Sequence, residues 1–347
     1  MTIDSKSDAP PNGHSAEAAP ASARGWLRAV TGANTFWILT ALLLIIVAFS
    51  IVRPYGFATP DNARNITLDA ASLLILACGQ TYVMITGGID LSVGSVLIFS
   101  SVVSSQVMLA MGGAEAGFTA ILVGFVVALL GGLVWGLLNG VMIAYGNIPP
   151  LIATLGTLGM ALGAAQLLTN GVDVREVPTL LNDTIGNATL FGIPWIVLIA
   201  AVVVIIAGLI LRFTRMGRYT YAIGSNEEGA RRAGISVGGH LLKVYGGAGL
   251  LAGLAGFINV ARFATTTIAG HTTDNLNAIA ATVIGGTSPF GGVGSILGTV
   301  IGVFIPAVLQ NGFVIAGVQP FWQTVAVGAV LVIAVYFDLR RRAKNSR

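Results

Sequence analysis

Residues 214–241 read TRMGRYTYAIGSNEEGARRAGISVGGHL, a charged, glycine-punctuated stretch between long apolar runs. It carries Arg215, Arg218, Glu227, Glu228, Arg231 and Arg232, with Arg212 and Lys243 at its edges. Its surroundings are hydrocarbon-compatible. The 347-residue chain is 55% hydrophobic and 9% charged, with mean hydropathy +0.85, whereas soluble domains carry about 25% charged residues. An apolar run of about 20 residues, at about 1.5 Å rise per residue, covers the hydrocarbon core of a bilayer. The expected fold class is therefore all-α, a polytopic membrane helix bundle of about ten transmembrane helices. A transmembrane β-barrel is excluded, because the apolar runs are continuous rather than alternating. In such a protein a charged, helix-forming segment in mid-chain is placed to touch something soluble.

Outward from this island, six spans are expected before it and four after it. They cover 36–52, 66–88, 92–111, 118–144, 151–169 and 193–213, then 242–262, 275–289, 293–315 and 320–338. The pair at 275–315 is interrupted by Gly285, Gly286, Pro289, Gly291 and Gly292, which suits a broken or re-entrant arrangement. The 46 glycines fit close helix packing in lipid, where small residues let backbones approach. Val93-Gly94-Ser95-Val96-Leu97 is echoed by Val293-Gly294-Ser295-Ile296-Leu297, as in a weak internal repeat.

Basic residues set the orientation. Lys6, Arg24 and Arg28 precede the first span, and Arg340, Arg341, Arg342, Lys344 and Arg347 follow the last. With ten spans, both groups share a side with the island, and only Arg53, Arg64, Arg175 and Arg262 lie opposite. The richer side is the cytoplasm. Residues 1–34 are expected to be a disordered cytoplasmic tail. Their first 24 positions are a polar lead with Asp4, Asp8 and Glu17, unlike a secretory signal. Residues 35–339 form the membrane domain, and 340–347 a basic cytoplasmic tail.

Several chemistries are missing. No GxxxxGK[ST] phosphate loop occurs. Gly247-Ala248-Gly249-Leu250-Leu251-Ala252 imitates a dinucleotide fingerprint but lies inside an expected membrane helix with no strand before it. His14, His240 and His271 are scattered without metal-ligand spacing, and the single Cys78 lies in an apolar run. No span carries paired carboxylates, which speaks against a proton-coupled carrier and suits a neutral polar solute. No metal, cofactor, catalytic residue or nucleic-acid partner is expected.

Four stretches together resemble the permease subunit of binding-protein-dependent ABC sugar importers of the ribose, xylose and arabinose type. They are GQTYVMITGGIDLSVGS at 79–95, GLLNGVMIAYGNIPPLIATLGT at 136–157, AIGSNEEGARRAGI at 222–235 and NAIAATVIGGTSPFGGVGSILGT at 277–299. The resemblance spans residues 36–340. It implies a sugar importer in the bacterial cytoplasmic membrane, with a cytosolic ATP-binding subunit, an extracytoplasmic sugar-binding protein and a second permease copy as partners, in contact with membrane lipid. A branched-chain amino-acid permease is the alternative within this build; a membrane-embedded enzyme is a remote one. Outer loops 53–65, 170–192 and 263–274 would receive the binding protein. The segment before Ala278 usually reads like Glu-Leu-Asp in that family, whereas here it is Asn275-Leu276-Asn277.

The resemblance also gives the island a role. Glu228-Gly229-Ala230-Arg231-Arg232-Ala233-Gly234 is similar to the Glu-Ala-Ala-x-x-x-Gly loop of importer permeases, with Gly229 in place of the first Ala. There it implies a short coupling helix docked on the ATPase. Glu227, Glu228, Gly229, Ala230, Arg231, Arg232 and Gly234 are the coupling-loop candidates. Asn226 or Ser225 can cap the helix, Glu227 and Glu228 suit its positive end, and Gly234 can end it. Pathway or gate candidates are Asp90, Ser101, Ser104, Ser105, Asn139 and Phe290. Each has a plain structural alternative. Asp90 can cap a helix starting near Leu91, the serines can hydrogen-bond between helices, and Asn139 can serve packing.

The orientation is tested by labelling single cysteines in a Cys78→Ala background. In intact cells, Ser225→Cys and Ser346→Cys should resist an impermeant thiol reagent, and Asn187→Cys should react. Labelling of Ser346→Cys without permeabilisation contradicts ten spans.

Overall fold

The computed structural model describes residues 33–319 continuously and single positions between 322 and 336. The expected tails, and most of the expected tenth span at 320–338, lie outside the described residues. Helices α1 (Ala33–Val52), α2 (Pro60–Ile85), α3 (Val93–Ala110), α4 (Phe118–Ala144) and α5 (Pro150–Thr169) come first. A loop holding a short helical turn and a two-residue hairpin, Thr189–Leu190 with Ile193–Pro194, leads to α6 (Trp195–Phe213). The island folds as α7 (Arg215–Ser225) and α8 (Glu227–Arg232). Then follow α9 (Val237–Phe263), α10 (Asp274–Ile284) and α11 (Ile296–Ala316). Seven of these helices are long and apolar enough to cross a membrane, and α1 adds a shorter apolar helix.

Three boundaries differ from expectation for identifiable reasons. Helix α2 starts at Pro60, six residues early. Thr59 caps it, accepting from the Asn62 amide at 3.2 Å, and Pro60 occupies the first turn, where its missing N–H costs nothing. Part of the expected outer loop 53–65 is therefore helix. Helix α9 reaches back to Val237, into the expected island. The expected span 275–289 is α10, which has only 11 residues. At about 1.5 Å per residue it covers about 16 Å, half of the roughly 30 Å hydrocarbon core. The repeat echo is out of step: Ser95 lies inside α3, whereas Ser295 caps α11, accepting from the Gly298 amide at 3.0 Å.

The bundle is organised around α4 and α9. Gly124, Ala128, Gly132, Gly136 and Gly140 recur every four residues on α4 and form one buried face. Opposite the last four lie Leu242, Tyr245, Gly246, Gly249 and Gly253 of α9, while Gly124 meets Met108 and Ser104 of α3. Contact here is backbone to backbone. A Cβ on Gly132 would fall on the Gly249 carbonyl, and one on Gly249 would fall on the Gly132 carbonyl. Other faces of α9 repeat the device, with Ala248 against Gly79 of α2 and Gly256 against the Leu97 carbonyl of α3. By contrast, Gly156, Gly159 and Gly163 of α5 have nothing beside them within 4 Å.

The ends of the bundle sort as the basic residues require. Arg53 donates to the Ala316 carbonyl, and Arg262 pairs with Asp69, at one end. Helices α7 and α8 gather with residues 85–88 and 291–294 at the other.

Gly132→Leu should separate α4 from α9. Overpacking of this kind costs about 1–3 kcal/mol or more, so the thermal midpoint in detergent should fall sharply. Gly156→Ala, facing open space, should leave it unchanged. Equal midpoints for the two variants would contradict the interlock.

Candidate functional site

Residues 86–92 do not continue α2. Gly87 takes φ +85°, the chain turns back into the bundle in extended form, and α3 begins at Val93. A second irregular stretch, 264–273, runs inward from the far end of α9 to the start of α10. The two meet inside the protein. Asn275 Nδ2 donates to the Leu91 carbonyl at 3.0 Å, and a side chain on Gly94 would strike the His271 carbonyl. Backbone at membrane depth must find internal hydrogen bonds or a water-filled cavity. A carboxylate at 275 could not donate the bond that Asn275 makes, so the amide suits this packing.

The buried groups around 86–92 form a directed chain. Thr157 Oγ1 of α5 donates to Asn139 Oδ1 of α4 at 2.7 Å. Asn139 Nδ2 donates to Ser92 Oγ at 2.9 Å, and Ser92 Oγ donates to Asp90 Oδ1 at 2.6 Å. Asp90 also accepts from the Ser92 amide at 2.8 Å. Thr154 Oγ1 reaches the Ile89 carbonyl at 3.1 Å. Asp90 is 1% exposed, and Ser92, Asn139, Thr154 and Thr157 are fully buried. Hydrogen bonds aligned in one sense in a low dielectric reinforce each other, and charge-assisted ones are the strongest. Asp90 therefore holds its own turn, while Ser92 occupies the cap position of α3.

Of the pathway candidates, Asp90 and Asn139 are brought together, with Ser92 as the link. Ser101, Ser104 and Ser105 lie farther along α3. Ser101 donates to the Ile98 carbonyl of its own helix at 2.7 Å, and the buried hydroxyls of Ser104 and Ser105 have no hydrogen-bond partner among the described residues. Phe290 is 52% exposed in the loop between α10 and α11, at the α7–α8 end and away from the serines. Sequence reasoning missed Thr154, Thr157 and Gln80. Gln80 is fully buried on α2, and neither of its amide atoms has a partner among the described residues. A glutamine inside an apolar helix is itself the signal. Farther out, Ser72 donates to Asn259 at 2.7 Å, Asn259 meets His271, and His271 Nδ1 meets Asp274 at 2.8 Å.

The coupling-loop candidates form one capped unit. Asn226 Oδ1 accepts from the Gly229 amide at 2.8 Å, so Asn226 is the cap rather than Ser225. Gly234, at φ +81°, closes the helix. Its amide bonds the Arg231 carbonyl at 3.0 Å, and the Ile235 amide bonds the Ala230 carbonyl at 3.1 Å, the Schellman pattern. Glu227 pairs with Arg231 at 2.8 Å and Glu228 with Arg232 at 3.0 Å, all four exposed. Ala230 alone faces inward, against Ile223 and Val237. Gly224 lies directly on the Ile85 carbonyl and the Gly292 amide, which bond each other at 2.9 Å. Tyr221 Oη donates to the Gly294 carbonyl at 2.7 Å. The island is thus attached to the start of residues 86–92 and to the loop between α10 and α11.

Between these parts lies a cavity of about 630 Å³, open at the α8 end. Residues 62–335 match the family described as the permease component of the branched-chain amino acid transport system. The chain belongs to this permease family. It is 38% identical over 307 residues to the ribose import permease of Escherichia coli K12, covering 88% of this chain and 93% of that protein. It is 34% identical over 308 residues to the D-allose transport system permease of the same organism, covering 88% and 90%. The galactose/methyl galactoside import permease of that organism is 31% identical over 317 residues, covering 88% and 94%. No solved structure matches. The permease is a multi-pass membrane protein of the cytoplasmic membrane, and a permease component is not itself an enzyme.

Asn139→Leu should cut the chain between Thr157 and Ser92, which keep their bonds to the α5 carbonyls and to Asp90, at about 0.5–1.5 kcal/mol for each bond lost. The thermal midpoint should fall. Ser101→Ala, which removes only a bond within one helix, should not move it. Differential scanning of purified protein reads both.

Proposed function

We propose that this permease is the membrane subunit of an ATP-driven importer that carries a neutral sugar or related polyol into the cytoplasm. A separate cytosolic subunit hydrolyses ATP, an extracytoplasmic binding protein delivers the solute, and a second permease copy completes the path. The observation that carries the reading is the construction of the island. Helix α8 is too short to persist alone in water, yet it is capped at both ends and presents Glu227, Glu228, Arg231 and Arg232 outward. Through Gly224 of the adjoining α7 it rests on the turn that leads into residues 86–92 and on the loop that follows α10. A docked ATPase that shifts α8 therefore has a short mechanical route to Asp90 and to α10.

Sugar as the cargo is supported by the names of the relatives and by the buried side chains. The family's description names branched-chain amino acids, but a zwitterion calls for charged partners. The interior offers mainly hydroxyls and amides, in Ser92, Ser104, Ser105, Asn139, Thr157 and Gln80. At the opposite end, Asp173 ties loops 170–192 and 263–274 together. It accepts from Thr266 Oγ1 at 3.0 Å and from the Ile268 amide at 2.9 Å, which makes a preformed surface for the binding protein. The bare glycines of α5 suit close approach of a second copy.

Glu228→Lys and Gly234→Trp should each abolish uptake while the protein stays inserted in the membrane. The exposed Glu228–Arg232 pair contributes only about 0.3–0.5 kcal/mol to a helix, too little to unfold the bundle. Gly234 faces open space in the free chain, so the tryptophan meets its obstacle in the docked partner, beside the strain of a positive φ. Co-purification with the ATPase is the direct readout. Normal ATPase binding and uptake in both variants would refute the coupling role, and so would ATP hydrolysis by the pure chain alone.

A further inference from the structure

We infer that the cavity at the α8 end is a second solute site, at which imported cargo on the cytoplasmic side slows its own further entry. The cavity holds about 630 Å³ and is half-open, within the size range of small-molecule sites. Its rim is the Glu227–Arg231 pair, so the lining carries one negative and one positive side chain already bonded to each other. A net-neutral rim favours neither an anion nor a cation. Tyr145, 61% exposed, supplies an aromatic face, and Asn147 and Ser236 supply hydrogen-bonding side chains. An aromatic face flanked by amide and hydroxyl groups fits a neutral polyhydroxylated molecule.

The closed end is the telling part. The cavity stops at Gly88 and Tyr245. Tyr245 is fully buried, and its hydroxyl has no hydrogen-bond partner among the described residues. That hydroxyl lies against Gly88, where any side chain would collide with it. Both residues belong to the lining of the cavity's closed end. A buried hydroxyl without a partner is costly, and it is satisfied by what enters beside it. Asp90 stands behind it, two residues along from Gly88.

This inference rests on the coupling role of α8 proposed above. Because Glu227 and Arg231 belong to both the cavity and the coupling helix, a solute held there favours one position of that helix. By linkage, docking of the ATPase and occupancy of the cavity then change each other's affinity reciprocally.

The test uses vesicles reconstituted with the permease, its ATPase and the binding protein, with ATP inside. The lumen is preloaded with rising D-ribose, D-allose or D-galactose, or with potassium chloride of equal osmolarity. Initial uptake of the radiolabelled sugar should fall at least about fivefold for one of the three sugars as its internal level enters the millimolar range. Tyr245→Phe should raise the half-inhibiting concentration about tenfold, the size of one lost hydrogen bond. Ser236→Trp, which fills the mouth, should abolish inhibition. Equilibrium dialysis of the permease–ATPase complex, without binding protein, should show binding of the same sugar in wild type and weaker binding in Tyr245→Phe. Uptake that ignores all three internal sugars overturns this inference and leaves the importer reading intact. Inhibition unchanged in both variants also overturns it. An absence of any uptake in unloaded vesicles instead strikes at the importer reading itself.

Discussion

The backbone interlock of α4 and α9 sets the terms for the whole bundle. Lipid tails are as apolar as leucine, so no hydrophobic force drives membrane helices together. Packing and hydrogen bonding must do it. A residue with no side chain every four positions on α4 lets its axis approach α9 until carbonyls touch α-carbons. Helix α9 is then fixed as the post to which α2 and α3 attach, through Gly79 and Gly256. The remaining helices need not be so strict. The outer faces of α4 and α6 carry bulky Val, Ile and Leu side chains that suit lipid.

A rigid post permits irregular backbone elsewhere. Residues 86–92 sit within the bundle and residues 264–273 at its far end, neither in helical form, and each is held by side chains from its surroundings. Asn275, Thr154 and the Asp90–Ser92 pair bond the first; Asp173 bonds the second. The acid at 90 suits a turn entering the start of α3, because it accepts from both the amide and the hydroxyl of Ser92. The same side chain that stabilises the turn also gives the interior its polar thread.

Much of this was legible in the residues. The span at 118–144 has the boundaries expected from its apolar run, since Gly117 and the residues after Ala144 break it at both ends. The Asn226 cap and the Gly234 stop could be read because capping depends on neighbours in sequence. Span 275–289 was half legible: its glycines pointed to a broken arrangement, but not that the helix stops at Ile284, because its depth depends on the packing around it. The start of α2 was missed by weighting hydropathy above Thr59-Pro60, a capping signal in plain view. The union of Asp90, Ser92, Asn139 and Thr157 was not legible at all. It depends on three separate elements converging, and no spacing along the chain encodes that meeting.

The attachment of the island to the bundle runs through Gly224, Ile85 and Gly292 by main-chain atoms, with side chains of α7 added: Tyr221 on the Gly294 carbonyl, Thr220 on His240, and Ile223 packed on Val237. None of these contacts involves the outward side chains of α8. The outward surface of α8 can therefore be rewritten, residue by residue, without disturbing the joint beneath it. A lineage can change which motor the permease accepts while the interior stays as it was, and the interior can adapt to new cargo while the motor is retained. Glu227 and Arg231, which line the cavity as well as the outward face, are where the two choices meet.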